Sequence, residues 1–405
     1  MTGALEGVRV VEMTSVVLGP YACQMLGDLG ADVIKIEPLS GDTNRNLGPH
    51  RNNKDMSALY LSCNRNKRSV SIDLKSESGK AAAIEIIKTA DIVVHNFRPQ
   101  AMRRLGLDYD EVKIINPDII YCGTYGYGKA GPYGSKGALD DSIQAASGIA
   151  VLQSMTEGDP RYLPTIICDK TTGLMVVQAV LAALFHKQRT GEGQELEVPM
   201  FETMVSFTMV EHLWGQAFCP PIGKAGYIRL MAKHRRPYKT KDGQYLAVLP
   251  YWDNHWKTFC EISGRTDLIE DERFIDMASR LKNIDESYRL TSEIISSRTR
   301  DKWLDLLGET KIPMMVVNSL DDLIEDPQLV ASKFWREFDH PTEGPIRLAS
   351  SPINFEKTPT SIRRLAPRLG EHTIEVLFEA GFDEESIEEL LKSGEIKSVN
   401  ASIGN

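Results

Sequence analysis

The chain has 405 residues, of which 42% are hydrophobic and 25% are charged, and its formal net charge is -9. This length exceeds the roughly 250–300 residues at which single cores stop growing, so at least two domains are expected. The negative charge disfavours nucleic acid as a partner, because phosphate binding needs a positive field. No segment reaches about 18 uninterrupted apolar residues, so no membrane span is expected.

The cysteines and histidines are scattered along the chain. The six cysteines form no CxxC pair, and the N-terminus lacks the basic and apolar regions of a signal peptide. Reduced thiols of this kind are typical of the cytoplasm, where we expect the protein to be located. The eight histidines show neither HxxxH nor HExxH spacing, so no metal site is expected.

Strand-like and helix-like segments alternate through the first 124 residues. This alternation predicts an α/β fold with a doubly wound parallel sheet. The turn after the first strand contains no GxGxxG, and no glycine-rich turn closes on Lys-Ser or Lys-Thr, which argues against a dinucleotide fingerprint and a P-loop. The predicted strands cover residues 8–12, 32–37, 69–74, 91–95 and 118–124, and the predicted helices cover 21–30, 79–89, 102–105 and 109–116.

Further along the chain, an apolar helix is predicted over residues 174–186, and Asp169 precedes it. An Asp at such a position is more often a helix N-cap than a nucleophile. From local chemistry alone both interpretations stay open.

The remaining sequence mixes linker composition with helical patterns. A Met- and Phe-rich helix over residues 201–215 is typical of a core or a subunit interface. Asp242 and Gly243 predict the turn of a hairpin. Residues 219–226 and 341–367 have the composition of linkers, while 253–263, 283–307 and 372–392 have helical patterns.

Basic residues concentrate near the ends of the predicted strands, which is unusual in an acidic chain. They are either a solvated surface or a site for a phosphorylated ligand, which would dock at the carboxyl ends of parallel strands. Phe97 could stack on an adenine ring there, and Arg98 could pair with a phosphate. The cluster comprises Arg65, Lys67, Arg68, Lys75, Arg98, Arg103, Arg104, Lys129 and Lys136.

Several segments, taken in order, resemble the class III CoA-transferase family, the CaiB/BaiF group. The likeness spans nearly the whole chain. It is carried by residues 5–12, 30–37, 64–75, 96–106, 126–133 and 236–243, and by Asp169 with Gly173.

The resemblance implies a Rossmann-like large domain, a smaller α/β domain and an interlocked, ring-like homodimer. Residues 1–222 would form the first part of the CoA-binding large domain, 228–335 the small domain, and 336–405 a linker and a C-terminal return to the large domain. Coenzyme A, entering as an acyl-CoA substrate, would lie along the carboxyl edge of the sheet. The family's contacts fall on Val16, Val17, Ile72, Asp73, Leu74, Lys75, Asn96, Phe97, Arg98, Arg104 and Lys136.

The family's nucleophile falls on Asp169. Its attack on a thioester would give a mixed anhydride, and the returning CoA thiolate would then form an aspartyl-CoA thioester. An incoming carboxylic acid takes the CoA from that thioester. Water must stay excluded, because hydrolysis would waste the intermediate.

The chain departs from the family pattern at residues 249–254, where formyl-CoA transferase has a glycine-rich loop. Tyr251 and Trp252 suggest a bulkier or differently closed acyl pocket, although packing explains Trp252 equally well. Lys170 and the cluster around Arg235 could pair with a second carboxylate of the substrate, or they are surface cations.

Two alternatives compete with a transferase. An α-methylacyl-CoA racemase pairs a histidine with the aspartate to move an α-proton. Leu139 occupies the position where that histidine is expected, and leucine cannot transfer a proton. A CoA-binding protein without catalysis is the other alternative, and the presence of Asp169 argues against it.

Overall fold

The computed structural model describes residues 3–399, except for the side chains of residues 155–157. Within it the chain forms two compact units. The first unit comprises Met1–Ser147, Pro164–Val205 and Gln328–Asn405, and the second comprises Gly148–Leu163 and Ser206–Pro327. The domain bounds predicted from the sequence fall at 222, 228 and 335 and stay a prediction.

The strands are β1 (Arg9–Met13), β2 (Asp32–Glu37), β3 (Lys67–Ile72), β4 (Ile92–His95), β5 (Ile120–Gly123), β6 (Glu195–Glu197), β7 (Tyr238–Lys239), β8 (Tyr245–Val248), β9 (Met314–Val316), β10 (Trp335–His340), β11 (Gly344–Ala349) and β12 (Ile396–Lys397). The helices of the first half are α1 (Leu18–Asp28), α2 (Ala58–Cys63), α3 (Glu77–Lys88), α4 (Pro99–Leu105), α5 (Tyr109–Ile115), α6 (Asp140–Ala146), α7 (Ile149–Glu157), α8 (Ile167–Thr190) and α9 (Met200–His212). Those of the second half are α10 (Asp253–Ser263), α11 (Met277–Lys282), α12 (Ile284–Ser296), α13 (Arg300–Leu307), α14 (Asp322–Glu325), α15 (Pro327–Ala331), α16 (Thr373–Glu379) and α17 (Glu384–Lys392).

The first unit is built on a seven-stranded sheet in the order β12-β3-β2-β1-β4-β5-β6. Strands β1 to β6 pair in parallel, which confirms the predicted α/β class and its parallel sheet. The edge strand β12 pairs antiparallel with β3, a feature that the sequence did not predict. The strand order reverses between β1 and β4, and ligands of open α/β sheets bind at such a point, outside the carboxyl ends of the strands.

The core of this unit lies between the sheet and its helices. Val11, Ile34 and Val93 come from neighbouring strands and are fully buried. Helices α16 and α17, close to the end of the chain, add Leu377 and Ile387 to the same core. Burying each such side chain stabilises the fold by about 1.5–3 kcal/mol.

Strand β3 begins two residues earlier than predicted, at Lys67. Charged residues such as Lys67 and Arg68 are rarely buried without a partner. Here the partners exist: Lys67 Nζ lies 2.7 Å from Glu12 Oε2, and Arg68 pairs with Asp32 at 2.6 Å. These ion pairs let charged side chains enter the strand.

Part of the predicted linker at 341–367 is a strand. Residues Gly344–Ala349 form β11, which pairs antiparallel with β10 along its full length. Pro345 lies opposite Asp339 in this two-stranded sheet. Proline is tolerated in such a place, because each strand of a two-stranded sheet has a free edge.

The second unit contains the three-stranded sheet β7-β8-β9 and its own aromatic core. Strands β7 and β8 form the hairpin predicted around Asp242 and Gly243. Trp303 is fully buried there, and its indole N–H donates to the Ile295 carbonyl at 2.7 Å. The sheet and helices α10, α12 and α13 share this core.

Helix α8 is long and apolar enough to cross a membrane, by length and composition alone, and no other helix of residues 3–399 passes that test. Its first turns pack against α1. A Cβ atom on Gly173 would lie 3.0 Å from the Leu18 carbonyl oxygen and 3.3 Å from the Tyr21 ring. Glycine at this position therefore permits the close approach of the two helices.

Candidate active site

Asp169 lies in the first turn of α8, but it does not cap the helix. The N-cap is Ile166, which makes no side-chain cap bond. The cap comes from Asp140, whose Oδ2 accepts hydrogen bonds from the backbone N–H groups of Cys168 at 2.7 Å and Asp169 at 3.0 Å. The N-cap interpretation of Asp169 is therefore wrong, and its carboxylate takes no part in capping the helix.

Asp140 is itself held in place. Gln144, one turn later on α6, donates to Asp140 Oδ1 at 2.6 Å and to the Thr165 carbonyl at 3.2 Å. Both side chains are buried. The sequence analysis missed this pair, although an Asp and a Gln four residues apart directly after Leu139 form a recognisable helical spacing.

The carboxyl group of Asp169 is unusually basic. Burial raises its pKa from an ordinary 3.8 to about 7, and the charge of Asp140 adds to the shift. A helix N-terminus favours an anion, yet here burial and the charge of Asp140 outweigh that effect, and the pKa of Asp169 is raised. Within the described residues, the Asp169 side chain makes no ion pair and accepts no hydrogen bond.

The turn between β1 and α1 contains strained backbone. Val16 has a φ of 69°, in the left-handed region that β-branched residues avoid. Its N–H donates to Asp42 Oδ1 at 3.0 Å, and its carbonyl accepts from Asn44 Nδ2 at 2.6 Å. These two bonds hold Val16 in this conformation.

A network of buried charged side chains, namely Glu12, Lys35 and Asp42, stabilises that turn. Lys35 Nζ lies 2.9 Å from both Glu12 Oε1 and Asp42 Oδ2, and it donates to the Thr14 carbonyl at 2.8 Å. Burial opposes the ionisation of Glu12, but the charges of Lys35 and Lys67 prevail and lower its pKa to about 2. The turn between β1 and α1 is therefore held by an ion pair between Glu12 and Lys35 that remains charged.

Asn96 holds the same turn from the other side. Its Oδ1 accepts from the Ser15 N–H at 3.2 Å, and its Nδ2 donates to the Ser15 carbonyl at 3.0 Å. Asn96 directly follows β4, where the strand order reverses. The structure thus brings the predicted CoA contacts Val16, Val17 and Asn96 together, and α8 reaches Leu18 beside them.

The other predicted CoA contacts follow the carboxyl ends of β3, β4 and β5 in sequence. Ile72 is buried and pairs with Ile396, while Asp73 and Leu74 are half-buried directly after it. Phe97 is exposed. Four exposed cations have no ion pair within the described part of the chain, namely Lys75, Arg98, Arg104 and Lys136.

The other cations of the predicted basic cluster pair with carboxylates of the protein. Arg65 pairs with Asp28 at 2.7 Å, and together with Lys67 and Arg68 it lies at or before the amino end of β3. Arg103 faces Asp108 at 3.7 Å, and Lys129 pairs with Glu195. These five cations neutralise carboxylates of the protein and leave four for a phosphorylated ligand.

The tentative substrate residues lie in the second unit. Tyr251 lines a pocket there, whereas Trp252 and Arg235 are exposed and do not line it. Arg229 also lines this pocket and has no acidic partner among the described residues, and the sequence analysis missed it. Lys170, in the first unit, donates to the Thr165 hydroxyl at 2.6 Å.

No group of three metal-ligating side chains gathers within residues 3–399.

Comparison with known proteins covers almost the whole chain. The family model for CoA-transferase family III matches residues 5–373. The succinyl-CoA:glutarate CoA-transferase of Mus musculus is 34% identical over 97% of this chain and 90% of its own length. The formyl-CoA:oxalate CoA-transferase of Streptomyces coelicolor is also 34% identical, over 97% of this chain and 99% of its own.

A solved structure agrees. The crystal structure of a CAIB/BAIF family protein from Brucella suis superposes with a TM-score of 0.79 and 29% identity. The superposition covers 94% of this chain and 100% of that one. The chain therefore belongs to the class III CoA-transferase family and is a CoA-transferase.

Proposed function

We propose that the enzyme moves CoA from an acyl-CoA thioester to a free carboxylic acid, with Asp169 as the nucleophile. The observation that supports the proposal is that this carboxylate is buried, basic and without a hydrogen-bond partner among the described residues. It is 9% exposed, its pKa is raised to about 7, and within the described residues no cation or donor occupies it. A basic carboxylate without a partner is suited to covalent attack.

The proposed reaction has four steps. An Asp169 carboxylate oxygen attacks the thioester carbonyl carbon, the C–S bond breaks, and CoA leaves as a thiolate. The thiolate attacks the Asp169 carbonyl of the mixed anhydride and releases the donor acid. The acceptor carboxylate then attacks the aspartyl-CoA thioester and expels the thiolate again. In the last step the thiolate attacks the acceptor's carbonyl, which gives the new acyl-CoA and regenerates Asp169.

Asp140 and Gln144 are positioning residues in this scheme. Asp140 fixes the first turn of α8 through two backbone N–H groups, and its charge raises the basicity of Asp169. CoA itself would bind along the carboxyl edge of the sheet. The four unpaired cations there, Lys75, Arg98, Arg104 and Lys136, would meet its phosphates, since phosphate recognition needs local positive charge.

Trapping tests the nucleophile. The enzyme is incubated with butyryl-CoA and hydroxylamine, and the peptides are analysed by mass spectrometry. We expect a hydroxamate on the peptide that contains Asp169 and none in Asp169→Asn. Asp118→Asn, which changes an exposed carboxylate, is the matched control and keeps the label. An unmodified peptide together with full activity of Asp169→Ala would remove Asp169 from the mechanism.

We also propose that the enzyme is an interlocked homodimer. Helix α8 carries exposed apolar side chains, among them Leu174, Met175 and Phe185, which is 61% exposed. A second copy of the chain would cover them. The test mixes two differently tagged preparations: interlocked subunits exchange only after unfolding and refolding, whereas exchange under native conditions contradicts interlocking.

The location proposed is the cytoplasm. All six cysteines are free thiols, and five of them are buried, which suits a reducing compartment. Fractionation of the source cells tests this, and recovery of the enzyme outside the cytoplasm contradicts it.

A further inference from the structure

Thr172, on α8, has a buried hydroxyl group without a partner. Its side chain is fully buried, and its Oγ1 makes no hydrogen bond within the described residues. A buried hydroxyl that is left unpaired destabilises a protein, because it has given up its hydrogen bonds to water. Such groups are rare in native proteins, and a role in catalysis is one of the reasons for which they occur.

Other helical threonines of the chain show the bond that Thr172 does not make. The Thr291 hydroxyl donates to the Ser287 carbonyl at 2.8 Å, and the Thr190 hydroxyl makes the same kind of bond at 2.9 Å. In both cases the acceptor lies four residues earlier in the same helix, where a threonine hydroxyl reaches it. The equivalent acceptor for Thr172 is the Cys168 carbonyl. Thr172 therefore keeps its hydroxyl free although an acceptor is available in its own helix.

Thr172 shares the buried face of α8 with Asp169. The buried residues of this helix include Asp169, Thr172, Gly173, Val176 and Val180, and this spacing follows one face of a helix. Side chains three residues apart on a helix are neighbours, with about 5–6 Å between their Cβ atoms. Thr172 therefore lies beside Asp169, one turn further along α8.

The direction of helical side chains brings these two groups closer. A helical side chain leans toward the N-terminus of its helix, so that of Thr172 lies over the turn that carries Asp169. Threonine has two accessible rotamers in a helix, and a rotation about the Cα–Cβ bond moves its hydroxyl without moving the backbone. The Asp169 carboxylate also accepts no hydrogen bond within the described residues. A donor without an acceptor thus lies one turn from an acceptor without a donor.

We infer that the Thr172 hydroxyl donates a hydrogen bond to the oxygen of Asp169 on which negative charge develops during CoA transfer. The inference rests on the proposed function, since it adds a catalytic residue to the reaction at Asp169. When the CoA thiolate attacks the Asp169 carbonyl carbon of the mixed anhydride, a C–S bond forms and the C=O electron pair moves onto oxygen. Thr172 stabilises this oxyanion and keeps its own proton. The oxyanion then re-forms the C=O bond, the C–O bond to the donor acid breaks, and the acid leaves as a carboxylate.

The absence of a partner in the free enzyme suits this role. Only an interaction that is stronger in the transition state than in the ground state accelerates a reaction. A hydroxyl bonded to the Cys168 carbonyl would have to break that bond before it could serve the oxyanion. The hydroxyl of Thr172 has no such bond to break, and it lies in a buried position where a hydrogen bond to a developing charge is strong.

The test replaces Thr172 by valine, which has nearly the same shape and lacks the hydroxyl. The enzyme is incubated with butyryl-CoA, and hydroxamate formation on the Asp169 peptide is followed at hydroxylamine concentrations to which its rate is proportional. Attack on the Asp169 carbonyl then limits the rate. We expect Thr172→Val to slow the labelling about 10-fold to 100-fold, because one donor to the oxyanion is lost. Thr172→Ser keeps the hydroxyl and should restore most of the rate.

Thermal unfolding separates catalysis from a structural role. Thr172→Val removes an unpaired polar group from the interior, so its Tm should equal or exceed that of the wild type. The butyryl-CoA concentration that gives half-maximal labelling should change less than about twofold, since the hydroxyl acts after binding. Slow labelling that occurs only with a lower Tm, and that Thr172→Ser shares, indicates a packing role and overturns the inference.

Two further variants are matched controls. Thr171→Val changes the adjacent half-buried threonine on another face of α8, and Thr208→Val removes another threonine hydroxyl that is buried without a partner, on α9. Val205 stands three positions before Thr208, so no carboxylate precedes it by one turn. Both controls should label Asp169 at the wild-type rate. If Thr172→Val also labels at that rate, this inference is overturned while Asp169 remains the nucleophile. An unlabelled wild type overturns the nucleophile proposal, and this inference with it.

Discussion

Two arginines of this chain lie beside tyrosine rings, and they differ in one partner. Arg45 is 1% exposed, its guanidinium carbon lies 3.9 Å from the centre of the Tyr60 ring, and Glu37 neutralises it at 2.7 Å. Arg229 is half-buried, and its tyrosine contacts are longer. The first cation has its carboxylate within the protein. The second has no carboxylate partner among the described residues.

The completed pair is part of the scaffold. Glu37 also accepts from the backbone N–H of Asp42 at 3.0 Å, and Asp42 holds the strained Val16. Burial opposes the ionisation of Glu37, but the hydrogen bonds from Arg45 prevail and its pKa is lowered. In a network of this kind every charged group has a partner inside the protein, and the network holds the backbone in place. Arg229, which has no carboxylate partner among the described residues, remains available to bind an anion.

The largest expected effect is on stability. Glu37→Gln leaves Arg45 buried without its counter-charge, and breaking a buried pair in this way costs about 3–5 kcal/mol. Urea unfolding measures the change. Arg229→Gln, which breaks no ion pair, should change the free energy of unfolding by less than about 1 kcal/mol.

The matched control for Glu37→Gln is Glu337→Gln, which breaks the exposed pair with Arg347. Exposed pairs contribute about 0–1 kcal/mol. If the two glutamine variants unfold at the same urea concentration, the Glu37 pair is not part of the scaffold.

The next effect concerns the strained turn. Asp42→Ala removes the acceptor of the Val16 N–H and one counter-charge of Lys35, so we expect a loss of about 2–4 kcal/mol and a higher KM for acyl-CoA. Steady-state kinetics in a double-mutant cycle with Val16→Gly isolates the strain. Glycine adopts a positive φ freely, so Asp42→Ala should raise KM less in that background. Equal increases in both backgrounds contradict a role for Asp42 in holding Val16.

The sequence predicted the parts of the molecule that follow from local pattern. Apolar runs such as Val10-Val11 and Val93-Val94 identified strands of the sheet, because parallel strands are buried on both faces. The resemblance to the family predicted a nucleophile at Asp169, and this assignment stays a prediction. Neither inference needs knowledge of contacts between distant residues.

What the sequence did not predict depends on such contacts. Lys67 enters β3 because Glu12, from a distant strand, neutralises it. Asp140 caps α8 from 29 residues away. Arg229 and Arg235 look alike as sequence, and the folded chain shows that Arg229 lines a pocket whereas Arg235 does not.

A smaller effect is expected on pH dependence. In the proposed mechanism the activity needs ionised Asp169, so we expect it to be lost as the pH falls through the raised pKa of about 7. Asp140→Asn removes a neighbouring negative charge and should move the acid limb of the kcat/KM profile downward by up to about one pH unit, or roughly 1.4 kcal/mol. Burial persists, so the limb stays above the ordinary range of an aspartate.

The control for that profile is Asp141→Asn, which changes the adjacent exposed carboxylate on α6. Its acid limb should coincide with that of the wild type. An upward shift in Asp140→Asn contradicts the proposed coupling, because loss of a negative charge cannot raise the pKa of a carboxyl group through electrostatics.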